Sequence, residues 1–165
     1  MPDFRTPANE RISPAAQDMP VIPSKLSPLG SFTPFPAAVL HILAAASSNE
    51  PISKDDIRPF YEGVDVALKN GHIVTHDGNN LGGDEILYGR SGLLWSILII
   101  RSHSHRFDEE TRKAMDPLFV AVPKLVDSIV EGGKQGANDY SQMHGSRDMM
   151  PLMYMWMEGF YCLGA

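Results

Sequence analysis

Between Ile86 and Ile100 the chain carries its most apolar run, ILYGRSGLLWSILII, and this run decides which folds are open to it. Arg90 and two glycines interrupt it, and it falls short of the ~18 to 20 apolar residues that cross a bilayer. It is therefore expected to be a helix buried by the chain's own neighbours rather than by lipid. Over 84–101, Ile86, Leu87, Leu93, Leu94, Trp95, Ile97, Leu98, Ile99 and Ile100 occupy nearly every face, and a helix apolar all round must be enclosed on several sides.

The flanking pattern supplies those neighbours. Val39, Leu40, Ile42 and Leu43 among alanines predict a helix from about Phe35 to Ser48. Ser53 has the chemistry of an N-cap, Asp56 follows three residues later, and Ile57, Phe60, Tyr61, Val64 and Leu68 recur at helical spacing up to the stop at Asn70-Gly71. These two make a helical hairpin. Gly71 to Gly83, with its Asp77-Gly78-Asn79-Asn80 cluster, reads as a loop. An amphipathic helix is predicted from Asp108 towards Val130, split or kinked at Pro117 or Pro123 and ended by Gly132-Gly133. Lys134 to Asp148 reads as a long loop, and 150–165 as an apolar tail that asks for burial and ends abruptly.

The first 34 residues differ. Eight prolines between Pro2 and Pro36 remove helix donors and push their predecessors to extended geometry, so 1–34 reads as an extended arm able to dock on a domain over 35–165. At 165 residues, one domain with a real core is the expectation. The net charge of −6 and the absence of a basic run leave no footprint for nucleic acid. One cysteine, Cys162, excludes an internal disulfide framework, and with no leader pattern a cytoplasmic location is expected.

Glu85 to Arg101, EILYGRSGLLWSILIIR, resembles the segment that opens an inner helix in eukaryotic lanthionine synthetase C-like proteins, with Glu85, Tyr88, Gly89, Arg90 and Gly92 carrying the match. A second match runs from Pro151 through Tyr154 and Trp156 to Gly164, and a weaker one covers Phe35 to Ala44. The resemblance implies an all-α fold, part of an α/α toroid of the kind shared with six-hairpin glycosidases. It also implies a family activity: zinc held by two cysteines and one histidine activates a thiol, from glutathione or a peptide cysteine, for addition to a dehydrated serine or threonine. The family's zinc-ligand motifs are absent from this sequence, so no catalytic, cofactor or metal residue is carried over. Peripheral association with the plasma membrane is a further family expectation, although no anchor or basic amphipathic stretch is seen.

Read from the residues alone, Gly89 and Gly92 leave a patch without side chains for close backbone packing, since glycine otherwise costs about 1 kcal/mol in a helix. His103 and His105 form an H-x-H pair, read as surface residues or metal ligands; His144 is read as a solvated loop histidine, and Cys162 as buried and inert or reactive. Asp55-Asp56 and Asp84-Glu85 each fall in a predicted first helical turn, where they serve the helix dipole or, by analogy with toroidal glycosidases, catalysis. Arg90 is expected to pair with a carboxylate or backbone carbonyls, or to contact a ligand. The methionines from Met143 to Met157 fill a core or form a sticky patch, and inner helices left uncovered would favour self-association.

Overall fold

The computed structural model describes residues 19–30, 33–48, 50–145, 150–156 and 159–161. Four helices form its body: α1 (Phe35–Ser48), α2 (Lys54–Lys69), α3 (Arg90–Ser102) and α4 (Glu109–His144). Two antiparallel hairpins accompany them, β1 (Ile73–His76) with β2 (Asn79–Gly82), and β3 (Tyr154–Trp156) with β4 (Gly159–Tyr161). The fold is thus mostly helical rather than all-α, and no closed ring of helices is formed among the described residues.

The first two helices follow from their periodicity and, in α2, from its N-cap. Ser53 accepts from the Asp55 backbone N–H at 3.2 Å, Asp55 and Asp56 lie in the first turn of α2, and Lys69 lies in its last turn, all favourable to the helix dipole. Asp56 also stands 2.9 Å from His41 Nδ1, tying α2 to α1. The core gathers Phe35 and Ile42 from α1, Ile57 and Phe60 from α2, Leu93, Ile97 and Ile100 from α3, and Met115, Leu118 and Leu125 from α4. Phe35 and Phe60 meet edge to face with centroids 5.5 Å apart. Gly63 makes this possible, because a Cβ there would lie 2.8 Å from the Phe35 ring.

Four boundaries differ from the sequence expectation. The segment expected as a loop over 71–83 contains the β1–β2 hairpin, in register Ile73 to Gly82 and His76 to Asn79. Its turn is Asp77-Gly78, both with positive φ (50° and 79°), the geometry whose twist matches that of paired strands. The enclosed helix starts at Arg90, not near Asp84, since the chain from Gly83 to Gly89 turns on itself through Gly89 N–H to Glu85 O (2.9 Å) and Arg90 N–H to Gly83 O (2.8 Å). The last helix neither splits at Pro117 and Pro123 nor ends at Gly132-Gly133, but continues to His144. Both proline rings lie on its exposed side, where carbonyls deprived of a donor can bind water. Finally, the tail expected to be an apolar extension of a helical fold contributes strands.

Part of the proline-rich stretch is woven into this body. Ser24, Leu26 and Ser27 are buried, the Leu26 N–H donates to Tyr88 O at 2.6 Å, and Ser27 Oγ donates to Ile86 O at 2.6 Å.

Candidate functional site

The polar centre of the molecule lies where the 83–90 turn meets the second half of α4. Arg90 is 4% exposed and Asp84 3%, so both charges are withdrawn from water. Such a pair persists only if nearly every donor and acceptor is satisfied. Here Arg90 Nε and Nη2 donate to the two Asp84 carboxylate oxygens at 2.5 and 2.9 Å, and Nη1 donates to Asn70 O at 3.1 Å. Both kinds of partner expected for Arg90, a carboxylate and a backbone carbonyl, are therefore present. Burial pushes the Asp84 carboxyl above its usual range, and the adjacent guanidinium opposes that rise without cancelling it.

Asp84 and Glu85 consequently do not sit in the first turn of a helix. Asp84 is consumed by Arg90, while Glu85 turns back on its own backbone and accepts from the Leu87 (2.7 Å) and Tyr88 N–H groups. Burial raises the Glu85 carboxyl, against the pull of those donors. Two carboxylates used in this way do not face a common substrate, and no paired-acid geometry arises from them.

The glycines of α4 explain how a long helix reaches the pair. At Gly132 a Cβ would stand 2.1 Å from Asp84 Oδ2, at Gly133 2.7 Å from the Tyr154 ring, and at Gly136 2.1 Å from Met153 O. The three lie on the face that accepts the ion pair and β3, and Met153 N–H donates to Gly133 O at 2.9 Å. Tyr154 sits close enough to feel both charges: burial raises its phenol first, Asp84 raises it further and Arg90 opposes. Gly89 and Gly92 serve similarly, meeting the Gly83 backbone and the Ser27 side chain at 2.5 and 2.1 Å from where a Cβ would be.

Beside this centre an open cleft of about 340 Å³ is lined by Asn70, His72, Arg90, Asp127, Glu131 and Gln135, among others. His72 Nε2 lies 2.8 Å from Asp139 Oδ2, joining the start of β1 to the last turns of α4. Neither histidine pair had a signature in sequence spacing, because the partners are 15 and 67 residues apart. The cleft can hold polar groups, and its lining includes Ser128 but no cysteine.

The remaining candidates are placed as follows. His103 precedes and His105 lies within a short 3-10 turn, Ser104–Arg106, with Nδ1 of each directed at nearby backbone, Ile99 O (3.0 Å) and Ser102 O (3.2 Å). His144 is not in a loop but ends α4, its ring 4.6 Å from that of Tyr140. Met153 is buried, whereas Met143 and Met150 are exposed. Pro151 is exposed, Trp156 contributes backbone to β3, and Cys162 and Gly164 lie outside the described residues. Among the described residues no group of three His, Cys, Asp or Glu side chains is arranged to hold a metal, and the sequence has one cysteine, so a two-cysteine, one-histidine zinc set does not fit this chain. No helix among the described residues is long and apolar enough to cross a membrane.

Comparison with known proteins gives a partial similarity. The chain is 32% identical over 78 residues to glutathione S-transferase LANCL1 of Danio rerio, a stretch that takes in 47% of the chain and 16% of that protein. The chain thus spans a small part of the relative's length. No family model and no solved structure matches it.

Proposed function

We propose that the chain is a segment of a lanthionine synthetase C-like protein, and that alone it does not perform zinc-dependent addition of a thiol to a dehydroamino acid. The observation that carries this reading is the Glu85–Arg101 motif, whose Arg90 and glycines are all consumed in packing. The 32% identity to a glutathione S-transferase supports the same family and points to glutathione as the thiol handled by an assembled protein. On this reading the four helices are a portion of an α/α toroid, with α3 an inner helix packed by α1, α2 and α4. A lone sulfur ligand cannot hold and activate a thiolate as that chemistry requires.

The test is direct. Purified chain should contain substoichiometric zinc and form no glutathione adduct on a dehydroalanine peptide, as measured by elemental analysis and mass spectrometry. One zinc per chain together with turnover would overturn the proposal.

The carbohydrate-active alternative has less support. Asp84 is bonded to Arg90, Glu85 to backbone amides and Asp56 to His41, so three of the four acids in the candidate pairs are already engaged.

A further inference from the structure

Of the chain's asparagines only Asn70 is followed by glycine; Glu10, Glu50, Asn80, Leu81 and Asp139 follow the others. The pairing matters because the backbone nitrogen of the next residue can attack an asparagine side-chain amide, and a Cβ on that next residue stands in the way. Asparagine is thermolabile in general, and before glycine it is most prone to lose ammonia. A helix suppresses the attack by holding that nitrogen in its own hydrogen-bonded ring. At Asn70 the helix has just ended. This residue is the C-cap of α2, with extended backbone (φ −103°, ψ 153°), and a Cβ at Gly71 would meet nothing within 4 Å. Both residues line the open cleft beside Arg90, where water can reach them, whereas Asn138 lies inside α4.

We infer that Asn70-Gly71 is a site of spontaneous deamidation, and that its isoaspartyl product acts on the buried Arg90–Asp84 pair. The Gly71 amide nitrogen, losing its proton to solvent base, forms a bond to Asn70 Cγ. The Cγ–Nδ2 bond breaks, and ammonia leaves after taking up a proton. Water then opens the resulting five-membered imide at either carbonyl. Cleavage of the new N–Cγ bond gives aspartate. Cleavage at the original backbone carbonyl gives isoaspartate, in which the chain runs through Cγ and the former carbonyl is a free carboxylate. Asparagine and water thus become an acid and ammonia, with no change of oxidation state.

The fold gives each product a consequence. In the isoaspartyl form the oxygen that accepts from Arg90 Nη1 at 3.1 Å belongs to a carboxylate. Arg90 already donates Nε and Nη2 to Asp84, so a second anion now competes for it through the stronger, charge-assisted kind of bond. The chain also gains a methylene just before His72, whose carbonyl accepts from the Gly83 N–H at 2.7 Å where the 83–90 turn begins. The aspartyl form keeps the backbone but loses the Asn70 Nδ2 donation to Val66 O (2.7 Å) and puts negative charge at the negative end of α2. Either charge enters a cleft that Asp127 and Glu131 already line.

The experiment ages the full chain at physiological temperature in mildly alkaline heavy-oxygen water, followed by digestion in acid and tandem mass spectrometry. Residue 70 should convert first, with heavy oxygen in the product, and isoaspartate should exceed aspartate when read by enzymatic methylation of isoaspartyl groups. Gly71→Ala, whose added Cβ meets no neighbour, should lose most of that conversion over the same time. Isomerisation at Asp77-Gly78 passes through the same kind of imide but expels water rather than ammonia, so fragment masses separate it. Isolated by ion exchange, the isoaspartyl form should unfold at lower urea than both the parent and Asn70→Asp, while aged Gly71→Ala should keep its midpoint. Conversion of Asn79 or Asn80 ahead of Asn70, equal conversion in Gly71→Ala, or aspartate as the sole product overturns the site. An isoaspartyl form as stable as Asn70→Asp overturns its action on Arg90.

Discussion

Replacing Gly132 by alanine sets two known effects against each other. In an isolated helix the change is worth about 1 kcal/mol in favour of alanine. Here the new Cβ would lie 2.1 Å from Asp84 Oδ2 and 2.9 Å from Arg90 Nη2, where ordinary contact begins at 3.4 Å. The obstructing oxygen is not the free end of a flexible side chain, because it is bonded to the guanidinium at 2.9 Å. Relief requires α4 to withdraw by more than an ångström or the pair to come apart. Overpacking costs about 1–3 kcal/mol and breaking a buried pair about 3–5. With the propensity gain subtracted, a net loss of about 2 kcal/mol is expected, which lowers Tm by roughly 4–8 °C for a chain of this size. Calorimetry and urea unfolding measure it, with Gly71→Ala as the control, since a Cβ at Gly71 meets nothing within 4 Å. A Gly132→Ala protein as stable as its parent, or more so, would refute close packing of α4 on the ion pair.

Arg90→Met strands a buried carboxylate and should cost about 3–5 kcal/mol in urea unfolding, while Arg90→Met with Asp84→Leu should recover much of that loss. A double-mutant cycle on His72→Ala and Asp139→Ala should give a coupling of about 1 kcal/mol, and additivity of the two single changes would deny the link between β1 and α4. Asp108 caps α4 by accepting from the Thr111 N–H at 2.7 Å, and this donor holds its carboxyl below the ordinary value of 3.8. Its folded pKa is depressed, so its stabilisation is present above pH 3.8 and is lost as pH falls through the lower folded value. Asp108→Ala should therefore lower the urea midpoint at neutral pH, with the difference shrinking in acid; a constant difference would count against the charged cap.

Where local chemistry decides the structure, the sequence was readable. The alanine-rich stretch over α1 and the Ser53 cap of α2 are set by residues a few positions apart, and the structure follows them. The Asp77-Gly78 turn was visible as a cluster of turn formers, but without strong alternation in the short flanking strands it read as a loop. The larger difference concerns Gly132 and Gly133, expected to end the helix, and Gly136 in the segment expected as a loop. By propensity such a group stops a helix, yet here each glycine is a point of contact with something distant in the chain: Asp84, Tyr154 or Met153. Tertiary packing outweighs a local cost of about 1 kcal/mol per glycine when close approach is the return. The start of α3 failed for a related reason, because the 83–89 turn is organised by Arg90 and by Gly83 O rather than by a capping side chain. The motif residues of the candidate site were legible as a pattern; their pairing across the fold was not.

The anchoring of residues 26 and 27 has a consequence for how the chain tolerates changes in length. Two hydrogen bonds from adjacent residues fix this stretch against the carbonyls of Ile86 and Tyr88 to a single alignment, and Phe35 is locked into the core eight residues later. A one-residue slip of this stretch must therefore break both hydrogen bonds at once. The β-turn at Asp77-Gly78, whose glycine faces open space, has no such accounting to satisfy and should accept added residues with little disturbance.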